Sequence, residues 1–249
     1  MRRAALVLVF LVALVAAGVA FAPARLVDGR IAALTGGALR VADASGTLWN
    51  GRGTLGDAAG TWRAPLAWRV DPAAASRGTL QVTLVPADPG STPRGTIAIR
   101  GSGFAATDVA FDLPAAALAA LLPPRPASIL GGTLTIAAPA LAVSGDVAQG
   151  NLDARWHGAR VVSGDAVADL GSVHLAATAQ GQALAGTLTN EGGNLRIEAT
   201  LTYRAPALEV DATLAPAPDA PPALTRALAA AGTPDGNGRV RITWRGNLR

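Results

Sequence analysis

Gly46-Thr47-Leu48-Trp49-Asn50-Gly51, written GTLWNG, places one of only five tryptophans in 249 residues between two glycines. The glycines let the chain turn tightly. Trp49 then reads as a large ring laid across a sheet of small residues, with Trp62 and Trp68 on the next hairpin. A buried ring of this size removes about 150–250 Å² from water. Gly46, Thr47, Trp49, Gly51, Trp62 and Trp68 are therefore expected to form one structural cluster that anchors the fold. The alternative is that these tryptophans line a groove for a partner or a lipid.

Outward from this stretch, Gly-Thr-Leu or a near copy opens segment after segment: GTLG at 53, GTLQV at 78, GTIAI at 95, GTLTI at 132, GTLTN at 186 and GNLRI at 193. Alternation follows each. Leu66, Trp68 and Val70 share one face, as do Leu80, Val82 and Leu84, then Val109, Phe111 and Leu113. Later sets are Leu195, Ile197, Ala199, Leu201 and Tyr203, then Leu208, Val210, Ala212 and Leu214, and finally Val240, Ile242 and Trp244. Period two, bounded by Gly, Pro, Asn and Asp, reads as half-buried antiparallel strands. Two Ala/Leu segments opened by Pro, Pro114–Leu122 and Pro222–Ala231, read as short helices. The fold class is mainly β: an antiparallel meander, as a curved sheet with a groove or as a sandwich, with two short helices.

Each of those helices lies between two strand patterns. That symmetry suggests two related halves, 38–140 and 150–248, hinged near Pro123–Pro126. The competing reading is that Ala-rich sequence imitates itself, and both stand.

Ala4 to Ala22 is apolar without interruption, flanked by Arg2, Arg3 and Pro23. At about 1.5 Å per helical residue it spans roughly 29 Å, the thickness of a hydrocarbon core. A signal peptide has a shorter apolar core, and cleavage after Ala22 would leave Pro23 at the new terminus. The reading is an uncleaved transmembrane anchor over 1–25, with residues 26–249 forming a β domain outside the cytoplasm. Arg2 and Arg3 set the orientation.

The sequence pI is near 11, yet the net charge is only +4. All bases are arginines and they stand singly, so no phosphate-tracking patch forms and nucleic acid is excluded as a partner. There is no Cys, which removes disulfides and thiolate metal sites. The two histidines, His157 and His174, are not spaced as zinc ligands, and His174 reads as a semi-exposed strand residue. No Gly-x-Ser-x-Gly elbow occurs, and a phosphate loop would need a Lys. Asp108 and Asp112 share a strand face without a cleft to make them an acid–base pair. The expectation is no enzyme, no cofactor and no metal.

The order of segments carries one further reading. An apolar N-terminal segment precedes Leu26–Leu39, then GTLWNG at 46–51, LAWRVDP at 66–72 and GTL at 78–80. AGTLTNEGG follows at 185–193, then LAAAGTPDGNG at 228–238 and a closing strand with Gly246. This order resembles the type II secretion system protein N family, also called general secretion pathway protein N. The resemblance implies an accessory inner-membrane subunit with a periplasmic β domain. It would assist export of folded proteins by binding other inner-membrane or periplasmic components of that machine. Two alternatives stand beside it: an AsmA-like β-groove protein handling lipid in the periplasm, and a cleaved, soluble periplasmic binding protein.

Overall fold

The computed structural model describes residues 21–88, 90–117, 129–163, 166–204 and 206–247. Most of the expected anchor, and most of the expected helix Pro114–Leu122 with its Pro-dense hinge, lie outside them. Among the described residues no helix is long and apolar enough to cross a membrane. The chain forms two compact units, divided between Ser91 and Thr92.

The first unit opens with α1 (Leu26–Leu34), which packs on β1 (Leu39–Gly46). Strands β2 (Asn50–Asp57), β3 (Arg63–Val70) and β4 (Leu80–Leu84) follow, with the short α2 (Pro72–Ser76) between β3 and β4. Each strand pairs antiparallel with the one before it. The predicted face of β3 is the buried one: Leu66, Trp68 and Val70 are all in the core. Helix α2, which the strand and helix patterns did not predict, starts at Asp71-Pro72. The Asp71 carboxylate accepts from the Ala73 N–H at 2.8 Å, and Pro72 pre-sets the first turn.

Among the described residues the second unit is a nine-stranded meander. Its strands are β5 (Arg94–Arg100), β6 (Gly103–Pro114), β7 (Ile129–Ser144), β8 (Val147–Ser163), β9 (Ala166–Gly181), β10 (Ala183–Glu191), β11 (Leu195–Arg204), β12 (Ala207–Pro216) and β13 (Val240–Asn247). Every neighbouring pair is antiparallel. The gap between the two expected halves, 140–150, falls on the β7–β8 turn. Helix α3 (Pro222–Ala231) forms where Pro222 and the Ala/Leu run predict it. At Pro114 the chain is still strand; it turns helical at Ala115–Ala117, where the description stops until Ile129.

Register explains the apolar face. Directly opposed residues share a side of the sheet. Leu152 stands opposite Ala177, Ala177 opposite Gly186, Gly186 opposite Leu201, Leu201 opposite Val210 and Val210 opposite Trp244. A parallel row runs Trp156, Val173, Asn190, and continues as Ile197, Leu214 and Val240. Helix α3 lies over this second row: Leu224 and Leu228 pack with Leu170, Val173, Leu195 and the fully buried Val240. Further along the strands the same face is only half-buried. Leu134, Ile136, Leu141, Leu152, Leu201 and Val210 retain part of their surface, and Trp244 is 41% exposed.

Candidate functional site

The GTLWNG stretch is the hairpin joining β1 to β2. Gly46 pairs with Gly51, and Leu48-Trp49 form its tip. The Thr47 N–H donates to the Asn50 carbonyl at 2.9 Å, and the Asn50 N–H donates back to Thr47 Oγ1 at 3.1 Å. Gly46 is left-handed, with φ of +88°, and a Cβ there would meet the Asn50 carbonyl oxygen at 2.5 Å. A side chain is excluded by backbone, so the turn requires glycine.

The opening expectation about Trp49 needs correction. Trp49 is half-buried at the tip, and Trp68 and Trp62 are the core tryptophans, 3% and 6% exposed. Trp68 lies across Gly51: a Cβ on Gly51 would stand 2.4 Å from its Cζ2. Its indole N–H donates to the Leu48 carbonyl at 2.9 Å. The Val70 N–H donates to the Trp49 carbonyl at 2.7 Å. Trp49 thus contributes backbone to the cluster, while its ring stays partly outside. Its place is on the two-residue tip of the hairpin, at the end of the strands. Trp62 sits at the opposite end of β3, its indole N–H buried without an acceptor among the described residues. The hairpin also holds the start of the described chain. Leu48 N–H donates to the Ala22 carbonyl at 2.7 Å, Ala24 N–H donates to the Gly46 carbonyl at 3.2 Å, and Pro23 bridges Thr47.

At the base of α1, the Asp28 carboxylate accepts from Arg40 Nε and Nη2, at 2.9 and 2.6 Å, and from the Val41 N–H at 2.8 Å. The Arg40 hydrogen bonds, then that from Val41, hold the Asp28 carboxyl down at about 2.

In the second unit the AGTLTNEGG stretch has a similar logic. Asn190 is buried under α3's side of the sheet. Its amide donates to the carbonyls of Leu170 and Leu195, at 2.7 and 2.8 Å, and to Gly192 at 3.3 Å. Its side-chain oxygen accepts from the Ile197 N–H at 2.7 Å. One side chain thus ties β9, β10 and β11 around the Gly192-Gly193 turn.

The structure also joins two residues that alternation kept apart in the sequence. His174 Nε2 and Asp153 Oδ2 are hydrogen-bonded across β8 and β9. His174 first, and Arg155 after it, hold the Asp153 carboxyl below its usual range. An open depression beside them, about 340 Å³, is lined by Arg155, His157, Ser172, His174, Thr189 and Glu191. The missed signal was register, which no short window carries. Asp108 and Asp112 stay apart in role. Asp108 is a left-handed bulge residue with φ of +51°, whereas Asp112 accepts from Thr92 and Thr135 hydroxyls. Among the described residues no group of three or more His, Cys, Asp and Glu could hold a metal.

No curated protein and no solved structure matches the chain. The family model described as "Type II secretion system (T2SS), protein N" matches residues 37–243, from just before β1 into β13. That span takes in the Trp68 hairpin, the Asn190 side chain and most of both compact units. The chain belongs to the type II secretion system protein N family and is a component of that secretion system.

Proposed function

We propose that the chain is an accessory inner-membrane subunit of the type II secretion machine that acts by binding, not by catalysis. Ala4–Ala22 tethers it, and the strands stand in the periplasm. The family match across both units carries this reading, and the apolar segment ahead of it in the sequence supports the tether. The last strand supports binding. Among the described strands β13 pairs with β12 alone, with one bridge from Pro234 to Val240 at its start, and the rest of such an edge offers backbone N–H and C=O groups to an added strand. A tether confines that edge near other membrane components and raises its effective concentration. Deleting the gene and assaying exported protein in the medium tests the role. Secretion should fall and return with the full-length gene; unchanged secretion overturns it. Protease treatment of spheroplasts tests the placement, with digestion of the β domain from outside as the expected result.

A second reading is that the second unit handles lipid. The half-buried apolar face through Leu141, Leu152, Leu201 and Val210 favours it. Phospholipid carried stoichiometrically by the purified protein would shift weight to this reading.

A further inference from the structure

We propose that the Leu48-Trp49 hairpin tip is a membrane-interface contact: it seats at the headgroup level of the bilayer that the N-terminal segment enters, and so fixes the orientation of the first unit. The inference rests on the anchored reading above. Its evidence is a short chain of bonds. Ala22 is the last residue of the apolar segment, and its carbonyl accepts from the Leu48 N–H at 2.7 Å. Pro23 bridges Thr47, and the Ala24 N–H reaches the Gly46 carbonyl. At Ala22, where the apolar segment ends, the hairpin tip is held to the chain by one backbone hydrogen bond.

The side chains at this end suit such a depth. Phe21, next to the bonded Ala22, is 77% exposed, Leu26 on the first turn of α1 is 52% exposed, and Trp49 is half-buried on the tip itself. In water, exposed large apolar residues gathered at one place mark an interaction surface. Aromatic rings with a polar edge concentrate at the boundary between hydrocarbon and headgroups. Arginine accompanies them: Arg25 and Arg30 follow the exit, Arg52 and Arg69 stand on β2 and β3 next to the tip, and all four are exposed. The acids nearby are otherwise engaged, Asp28 with Arg40 and Asp71 with the Ala73 N–H; Asp43 is the exposed exception on β1. Arginine stems lie along apolar surface while their heads reach phosphate. The occupant is therefore a phospholipid surface containing anionic lipid.

The other end of the same strands supplies the internal reference. The β2–β3 turn, with Ala58, Ala59 and Gly60 exposed, lies the full length of β2 away, roughly 25 Å at about 3.3 Å per residue.

The test exploits the absence of native cysteine. Leu48→Cys and Ala59→Cys, each in the full chain, are labelled with an environment-sensitive fluorophore. The labelled chains are placed in nanodiscs of phosphatidylethanolamine and phosphatidylglycerol, with and without lipids brominated in the acyl chains. The expected result is a blue-shifted label at position 48, quenched several-fold more than the label at 59. Trp49→Glu in the Leu48→Cys background should move the quenching toward the level at 59, with near-ultraviolet circular dichroism retained. Equal, water-like labels at 48 and 59, in chains that stay in the nanodisc through alkaline extraction, overturn the proposal and leave the anchor intact. Loss of the chain from the nanodisc overturns both.

Discussion

The Trp68 indole N–H donates to the Leu48 carbonyl 2.9 Å away, across a space that Gly51 leaves empty. Leu48 belongs to the hairpin tip and Trp68 to β3, so this one bond ties the β1–β2 turn to the neighbouring strand.

The packing at that point allows no added atom. In Gly51→Ala the new methyl would stand 2.4 Å from Trp68 Cζ2 and 2.8 Å from the Thr47 carbonyl oxygen, and the latter is backbone. Overpacking of this kind costs about 1–3 kcal/mol. Trp68→Ala should cost about 3–5 kcal/mol, the range for a buried large aromatic. Urea unfolding of the two variants measures both. A Gly51→Ala protein as stable as the parent would mean that the ring moves aside freely.

Trp49→Ala should be much milder. Its ring is half-buried and its best-defined tie is the carbonyl that accepts from the Val70 N–H, which alanine also has. A loss of about 1–2 kcal/mol follows from half the usual burial. The comparison with Trp68→Ala in the same urea series is the check, and equal losses would place the Trp49 ring in the core after all.

Strand class and face were legible because period two is a local signal. Leu66, Trp68 and Val70 needed only their own spacing to be placed inside. Helix α3 was legible from Pro222 and its Ala/Leu run. Which of three tryptophans is buried was not legible, because it depends on what lies over each ring. Trp68 has a glycine facing it from β2, and that pairing is a fact of register. Helix α2 escaped notice for a different reason. Asp71-Pro72 is a helix start, but four small residues after it leave no periodicity to count. The Asp153–His174 pair was hidden by the same dependence on register, being 21 positions apart in sequence. The Asn190 station was half visible. Its Gly-Gly turn stood out, whereas the buried amide that organises it looked like an ordinary polar strand residue.

Asn190 provides the sharpest chemical test. Its amide faces two carbonyls at hydrogen-bond distance, so Asn190→Asp aims a carboxylate at acceptors inside the sheet. A buried group left unsatisfied costs about 1–3 kcal/mol, more when charged. Asn190→Asp should therefore be less stable than Asn190→Leu at neutral pH and should regain stability on acidification, once the carboxyl is neutral and can donate. Thermal unfolding at neutral and mildly acidic pH distinguishes the pair. Identical pH profiles would show that position 190 is hydrated.

The Asp28 carboxyl gives the first unit an acid limit. Hydrogen bonds from Arg40, and then from the Val41 N–H, depress it from 3.8 to about 2. A carboxyl whose folded value is lowered stabilises the fold above its unfolded value, and that contribution is lost as pH falls through the folded one. The window is therefore from roughly pH 4 down to roughly pH 2. Asp28 links α1 to the first residues of β1, so protonation should release α1 before the strands separate. Asp28→Asn retains an acceptor for the Val41 N–H but gives up the charge, and it should flatten stability across that window. At neutral pH it should cost on the order of 1 kcal/mol or less, because solvent screening at this exposed position cuts the worth of a charge-assisted pair. Hydrogen exchange of the α1 amides between pH 4 and pH 2 reads the release directly. If those amides lose protection no earlier than the β2–β3 ladder, the Asp28 bridge is not what holds the helix in place.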